Sequence, residues 1–269
     1  MTPTNGPREF RRVAVFGGVY GNTHALAATL DDARARGAEA VVCLGDVGGF
    51  GPHPDRAVAS LREHGVVTIQ GNYDAAVAGG ASDCGCGYTD PRDNHFARLS
   101  YAYTLAHTST EARRWLGALP PALRVSLGPF TALLCHGSPR AVSEFLWEST
   151  TPDHTLATML DEARADVLLC THSGLKWRRV LGGDRHAVNV GVIGRPENDG
   201  RTNVWYTVLT CEDGALDVEF VPVVYDHDAL AREMEAEDLP REFVETIRTG
   251  WWTTCLEVLP AKERARGRF

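Results

Sequence analysis

Short apolar runs that each break off into a polar loop recur along this chain: "RVAVF" (12–16), "AVVCLG" (40–45), "VVTIQ" (66–70), "TALLCHG" (131–137) and "DVLLCTHSG" (166–174). Runs of this length, rich in Val and Leu, read as buried strands. Helix-period segments separate the first three. "THALAATLDDARARG" (23–37) is closed by Gly37, and "PDRAVASLREHG" (54–65) opens with Pro54 at its first position. Strands spaced by helices of this length imply parallel pairing through right-handed crossovers.

From Ala75 to Pro120 the pattern is less regular, with a "DCGCGYTDPRDN" loop followed by helix-like "HFARLSYAYTLAH" and "TEARRWLGAL". "TPDHTLATMLDEARA" reads as a helix between the last two apolar runs. From Trp177 the signal becomes β-rich and hairpin-like, with "DG" (213–214) as a turn. The last forty-odd residues read as helical, with Trp251 and Trp252 in an apolar patch that suits packing better than ligand binding. The expectation is a single domain over 1–269, with a helical and loop insertion at about 75–120 and a helical extension at about 226–269.

A net charge of −8 is a poor footprint for a nucleic-acid binder, and the basic "AKERARGRF" at the end reads as a solvated tail. No apolar run spans a bilayer, and "MTPTNGPREFRR" has no apolar core, so neither a membrane segment nor a secretory signal is expected and the reading is cytoplasmic. The seven cysteines are an odd, scattered set, which argues against a disulfide framework. Cys43, Cys135 and Cys170 sit inside strand-like runs as small hydrophobes.

The polar residues fall immediately after the strands: Gly17 to Asn22, Asp46, Asn72 to Asp74, His136 and His172. In a parallel sheet these are carboxyl ends, which converge on one rim, where such sheets bind ligands. Asp46 with His136 and His172 offers one carboxylate and two imidazoles, a donor set suited to zinc, iron or manganese. Asn72 adds an amide oxygen. His24, at a helix start, reads as a surface residue.

"CLGDVGGFGPHP", "GNYD", "LLCHGSPR" and "NVGVIGRP" resemble motifs of the calcineurin-like metallophosphoesterase superfamily, in its small bacterial phosphodiesterase-type branch. The resemblance spans about residues 12 to 210. It implies an α/β, four-layer fold, a β-sandwich flanked by helices, with a two-metal site at the strand ends. It assigns one metal to Asp46, Asn72, His136 and His172. It assigns the other to Asp46 and to positions that here hold Gly18, Tyr20 and Gly174, none of which keeps the family's ligand. The resemblance therefore implies one retained divalent transition ion (manganese, iron or zinc) beside an emptied position.

Tyr73 stands where the family has a histidine that acts on the phosphoryl group, and Asp74 is expected to orient it. These two are the candidate catalytic residues. Asn22, Tyr20 and Arg195 are the candidate substrate contacts, with Asn189 in the same loop as Arg195. Cys84 and Cys86 read either as a soft ligand pair, which His95 and Asp93 can complete, or as two incidental thiols in a glycine-rich turn.

The function expected is hydrolysis of a small phosphoester or phosphodiester through a single metal. A ligand- or partner-binding protein without turnover is the first alternative. A mononuclear iron or zinc enzyme of non-hydrolytic chemistry is the second.

Overall fold

The structure, a computed structural model, describes residues 8–268. Most of the stretch on which the absence of a secretory signal was argued, residues 1–7, therefore lies outside the described residues.

Two mixed sheets pack face to face with helices outside them. The first holds β1 (Arg8–Phe10), β5 (Ala122–Leu127), β6 (Phe130–Cys135), β7 (Val167–Cys170), β9 (Arg185–Asn189) and β8 (Trp177–Leu181), in that spatial order. The second holds β11 (Ala215–Val223), β10 (Val204–Glu212), β2 (Arg12–Phe16), β3 (Ala40–Cys43) and β4 (Val67–Thr68). The helices are α1 (Thr23–Ala35), α2 (Pro54–Glu63), α3 (Asn72–Gly79), α4 (Pro91–Ala106), α5 (Thr110–Gly117), α6 (Asp153–Ala163), α7 (His227–Ala236), α8 (Arg241–Thr249) and α9 (Ala261–Arg264).

The two-residue period of a strand explains the layering. On β2, Val13 and Val15 face the core between the sheets, while Ala14 and Phe16 face the helices. The same split puts Leu134 of β6 and Leu169 of β7 inside the sandwich. Their neighbours Leu133, Cys135, Leu168 and Cys170 pack with α6 residues Leu156 and Met159. Strands β2, β3 and β4 pair in parallel, as do β6, β7 and β9, so the loops after both sets leave the sandwich at one end. The β10–β11 hairpin turns at Asp213 and Gly214, both at positive φ, which a tight two-residue turn requires.

Cys43, Cys135 and Cys170 are buried, and burial pushes all three thiols up. Among the described residues no helix is long and apolar enough to cross a membrane. His24 is half-buried, not a free surface side chain: its Nε2 lies 3.0 Å from Glu233 Oε2, which ties α1 to α7.

Candidate metal centre

Asp46 follows β3, Asn72 opens α3 after β4, His136 follows β6 and His172 follows β7. The ligand atoms of Asp46, His136 and His172 lie within 4.8 Å of one another, the one such group of His, Cys, Asp and Glu among the described residues. His136 Nε2 is 3.2 Å from Asp46 Oδ2 and 3.2 Å from His172 Nδ1. The other ring nitrogen of His136, Nδ1, lies 2.6 Å from the Leu44 carbonyl, which can only accept. Nδ1 therefore carries the proton, and Nε2 presents a lone pair to the cluster.

Asn72 is oriented in the same way. Its Nδ2 donates to the Cys84 carbonyl at 2.9 Å, so Oδ1 turns the other way, where it is buried with no donor. Buried polar atoms in native folds are nearly always partnered. An orphaned carbonyl oxygen on a residue that lines one cavity with Asp46 and His172 fits a bound cation. Asn72 Oδ1 and His172 Nε2 are both without hydrogen-bond partners.

The backbone is bent to make this cluster. Asp46 and His172 adopt positive φ (59° and 50°), as does Tyr20 (52°), a conformation costly for residues other than glycine and concentrated at functional sites. Asp46 Oδ1 also accepts from the Tyr73 amide at 3.1 Å, at the N-terminal end of α3. Gly71 must be glycine, since a Cβ there would fall 2.3 Å from Asp46 Oδ1.

Burial and the neighbouring His136 push His172 down to about 3, so it is neutral at physiological pH and open to a metal. Burial works against charge on His136 and on Asp46, yet their mutual attraction raises the first and lowers the second. Burial and Asp46 push Asp74 up to about 6.

Several expected roles change on the structure. Asp74 does not orient Tyr73. Its carboxylate accepts the amides of Asp46 (2.8 Å), Val47 (3.0 Å) and Gly71 (2.9 Å), and so fixes the turn that carries Asp46. The Tyr73 hydroxyl donates to Ser100 Oγ on α4 at 3.1 Å. Asn22 is spent structurally: Oδ1 caps α1 through the Ala25 amide, and Nδ2 reaches the carbonyls of Ile193 and Gly194. Asn189 likewise bonds Thr171, Ser173 and Gly191 and does not reach the site. Cys84 and Cys86 are joined in a disulfide, so they are neither a metal pair nor free thiols, and Asp93 accepts instead from the Val258 amide. His95 is exposed.

Tyr20 and Arg195 do reach the site. Both line a cavity of about 50 Å³ together with Asp46, Asn72, Tyr73 and His172. Trp252, read from the sequence as packing, is that and more. Its ring lies 3.6 Å from the Arg195 guanidinium carbon, and its Nε1 donates to the Pro196 carbonyl at 2.7 Å. The sequence signal that would have exposed this was the arginine itself, placed in a run otherwise apolar enough to bury it.

The pattern of the calcineurin-like phosphoesterase superfamily domain matches residues 12–214. An uncharacterised protein of Methanocaldococcus jannaschii is 24% identical over 254 residues, covering 88% of this chain and 98% of that one. Two solved structures share the fold. A metallophosphoesterase from Sphaerobacter thermophilus has 23% identity and a TM-score of 0.69, and a hypothetical protein from Pyrococcus horikoshii has 22% and 0.73. Each covers 90% of this chain and 99% of its own.

Proposed function

This chain belongs to the calcineurin-like phosphoesterase superfamily, and from that premise we propose that it is a metal-dependent phosphoester hydrolase working with one divalent transition ion on a small phosphorylated molecule. The observation that carries the reading is the convergence of Asp46, His136 and His172, with Asn72 lining the same cavity as Asp46 and His172, and with the far atoms of His136 and Asn72 pinned by the Leu44 and Cys84 carbonyls. Such outer bonds hold ligands in their binding orientation. A bound ion supplies Lewis acidity, polarising a phosphoryl oxygen and acidifying water.

The positions that the family resemblance assigns to a second ion hold Gly18, Tyr20 and Gly174, which bring neither carboxylate nor imidazole. A Cβ on Gly18 would fall 2.5 Å from the Tyr20 ring, so that ring fills the space a longer side chain would use. This supports one ion over two.

The remaining roles follow from contacts. Asp74 holds the turn bearing Asp46, and Asn22 ties the Ile193–Gly194 backbone to the start of α1. Burial raises the Tyr73 phenol, so it keeps its proton and serves only as a hydrogen-bond donor. The test is elemental analysis of purified protein, combined with a screen of phosphomonoesters and phosphodiesters, with His136→Ala as control. The expected result is about one ion per chain and hydrolysis that disappears with the ion in His136→Ala. Wild-type protein that takes up no metal, or hydrolysis indifferent to it, contradicts the reading.

A further inference from the structure

The Cys84–Cys86 bridge abuts the candidate metal centre. Asn72 Nδ2, which donates to the Cys84 carbonyl, also lies 3.4 Å from Cys86 Sγ, and Cys86 lines the cavity shared by Asp46, Asn72 and His172. Neither bridge cysteine is open to solvent: Cys84 is 5% exposed and Cys86 7%. By exchange, a disulfide opens only when a further sulfur reaches one of its two, so burial shields this one from a large reductant outside.

A third sulfur is already at the cavity. Of the five free cysteines, Cys43, Cys135, Cys170 and Cys211 are buried in strands, whereas Cys255 is half-buried and lines the same cavity as Cys86. Two bonds bracket Cys255 and carry it to the segment that follows the bridge. The Arg92 guanidinium donates to the Thr253 carbonyl at 2.7 Å, and the Val258 amide donates to the Asp93 carboxylate at 2.9 Å. Tyr88, two residues on from Cys86, marks the same approach: burial raises its phenol, and the Cys255 sulfur beside it raises it further. Cys255 is held at φ 57°, a conformation costly for residues other than glycine and concentrated at functional sites.

We propose that Cys84, Cys86 and Cys255 form a thiol–disulfide exchange site, in which the bridge passes from Cys84–Cys86 to Cys86–Cys255. The Cys255 sulfur gives up its proton and attacks Cys86 Sγ. A Cys86–Cys255 bond forms as the Cys84–Cys86 bond breaks, and Cys84 leaves with the electron pair and takes up the proton. One disulfide and one thiol stand on each side, so the step needs no oxidant, no reductant and no cation. It is independent of the hydrolase reading.

The exchange changes what the bridge restrains. Between residues two apart it closes one short turn. Between Cys86 and Cys255, 169 positions apart, it fastens the C-terminal segment to the loop that orients Asn72, and closing so long a loop removes far more chain freedom. The new bridge also ends on a half-buried sulfur, which a small thiol can reach. Attack there joins the small thiol to Cys255 and releases Cys86 as a thiol. A second molecule of the small thiol then frees Cys255 and leaves with the first as their disulfide.

The experiment is peptide mapping by mass spectrometry on the full chain as purified, held in a glutathione redox buffer, quenched with acid and alkylated. Wild type is expected to show Cys84–Cys86 with Cys255 alkylated as its main form. Cys84→Ser removes the competing partner, and most chains are then expected to carry Cys86–Cys255. A Cys84→Ser protein that is folded by circular dichroism yet leaves Cys86 and Cys255 unjoined overturns the proposal. So does a wild type that holds all three as free thiols in the oxidised buffer. Should Cys84→Ser not fold, the rate at which reduced glutathione opens the Cys84–Cys86 bridge is compared between wild type and Cys255→Ser. The bridge is expected to open about tenfold or more slowly without Cys255. Equal rates overturn the proposal equally.

Discussion

Replacing Gly18 with alanine probes whether the Tyr20 ring truly occupies the space beside the metal centre. Gly18 has φ +24°, and a Cβ on it would fall 2.5 to 2.8 Å from the ring carbons and hydroxyl of Tyr20. Left-handed backbone costs an alanine about 1–2 kcal/mol. Overpacking against a ring held in place adds about 1–3 kcal/mol. Gly18→Ala should therefore destabilise by about 3 kcal/mol.

Tyr20→Ala removes a ring that is 8% exposed and should cost about 3 kcal/mol, near the low end for large aromatic truncations. The two effects are not independent. With the ring gone, the new methyl group has nothing to strike and only the backbone term remains. The double variant should therefore be about 2 kcal/mol more stable than additivity requires, within the range for contacting pairs. Urea denaturation of the four proteins, metal-free and in one buffer, measures this. Additivity within about 0.5 kcal/mol would refute the placement of the ring.

Proton and metal compete for one pair of groups. Burial opposes charge on His136 and Asp46, but their mutual attraction raises the first and lowers the second. The raised imidazole stabilises the metal-free fold fully below about pH 6.5, and that contribution is lost as pH climbs through its folded pKa. An ion displaces this proton, so the metal-induced rise in melting temperature should be larger at about pH 8 than at about pH 6 by scanning fluorimetry, and an equal or reversed effect contradicts the ligand assignment. For the phenols, Tyr73→Phe should keep the metal and cost at most about fivefold in turnover, the worth of one neutral hydrogen bond to Ser100, whereas Tyr20→Phe should cost more; the reverse order in steady-state kinetics would exchange their roles.

Much of this architecture was legible in the residues. β2 occupies Arg12–Phe16, the span its apolar run marks, and α1 begins at Thr23 beneath its Asn22 cap. Convergence of Asp46, His136 and His172 followed from their common place after parallel strands. The division of those strands between two sheets was not legible locally. β2 and β6 are alike in apolar character, and only long-range pairing separates them. β5, "ALRVSL", escaped notice because its exposed and half-buried positions weaken the apolar signal. Asp74 and Asn22 both serve the backbone, and polar side chains in loops do this as readily as they meet ligands, a choice that spacing does not distinguish. The Cys84–Cys86 bridge closes between residues two apart, where sequence cannot tell a bridge from a pair of thiols. Arg195 was placed near the ligand, but its burial and its dependence on Trp252 join segments 57 positions apart, a relation that exists only in the folded chain.

The most direct test of the whole account is an anomalous-diffraction experiment on crystals grown with manganese, iron or zinc. The account predicts a single peak among Asp46, Asn72, His136 and His172, with the Arg195 guanidinium facing it across the cavity and no peak beside Gly18 and Gly174. Two peaks, or none at the Asp46 cluster, would contradict it.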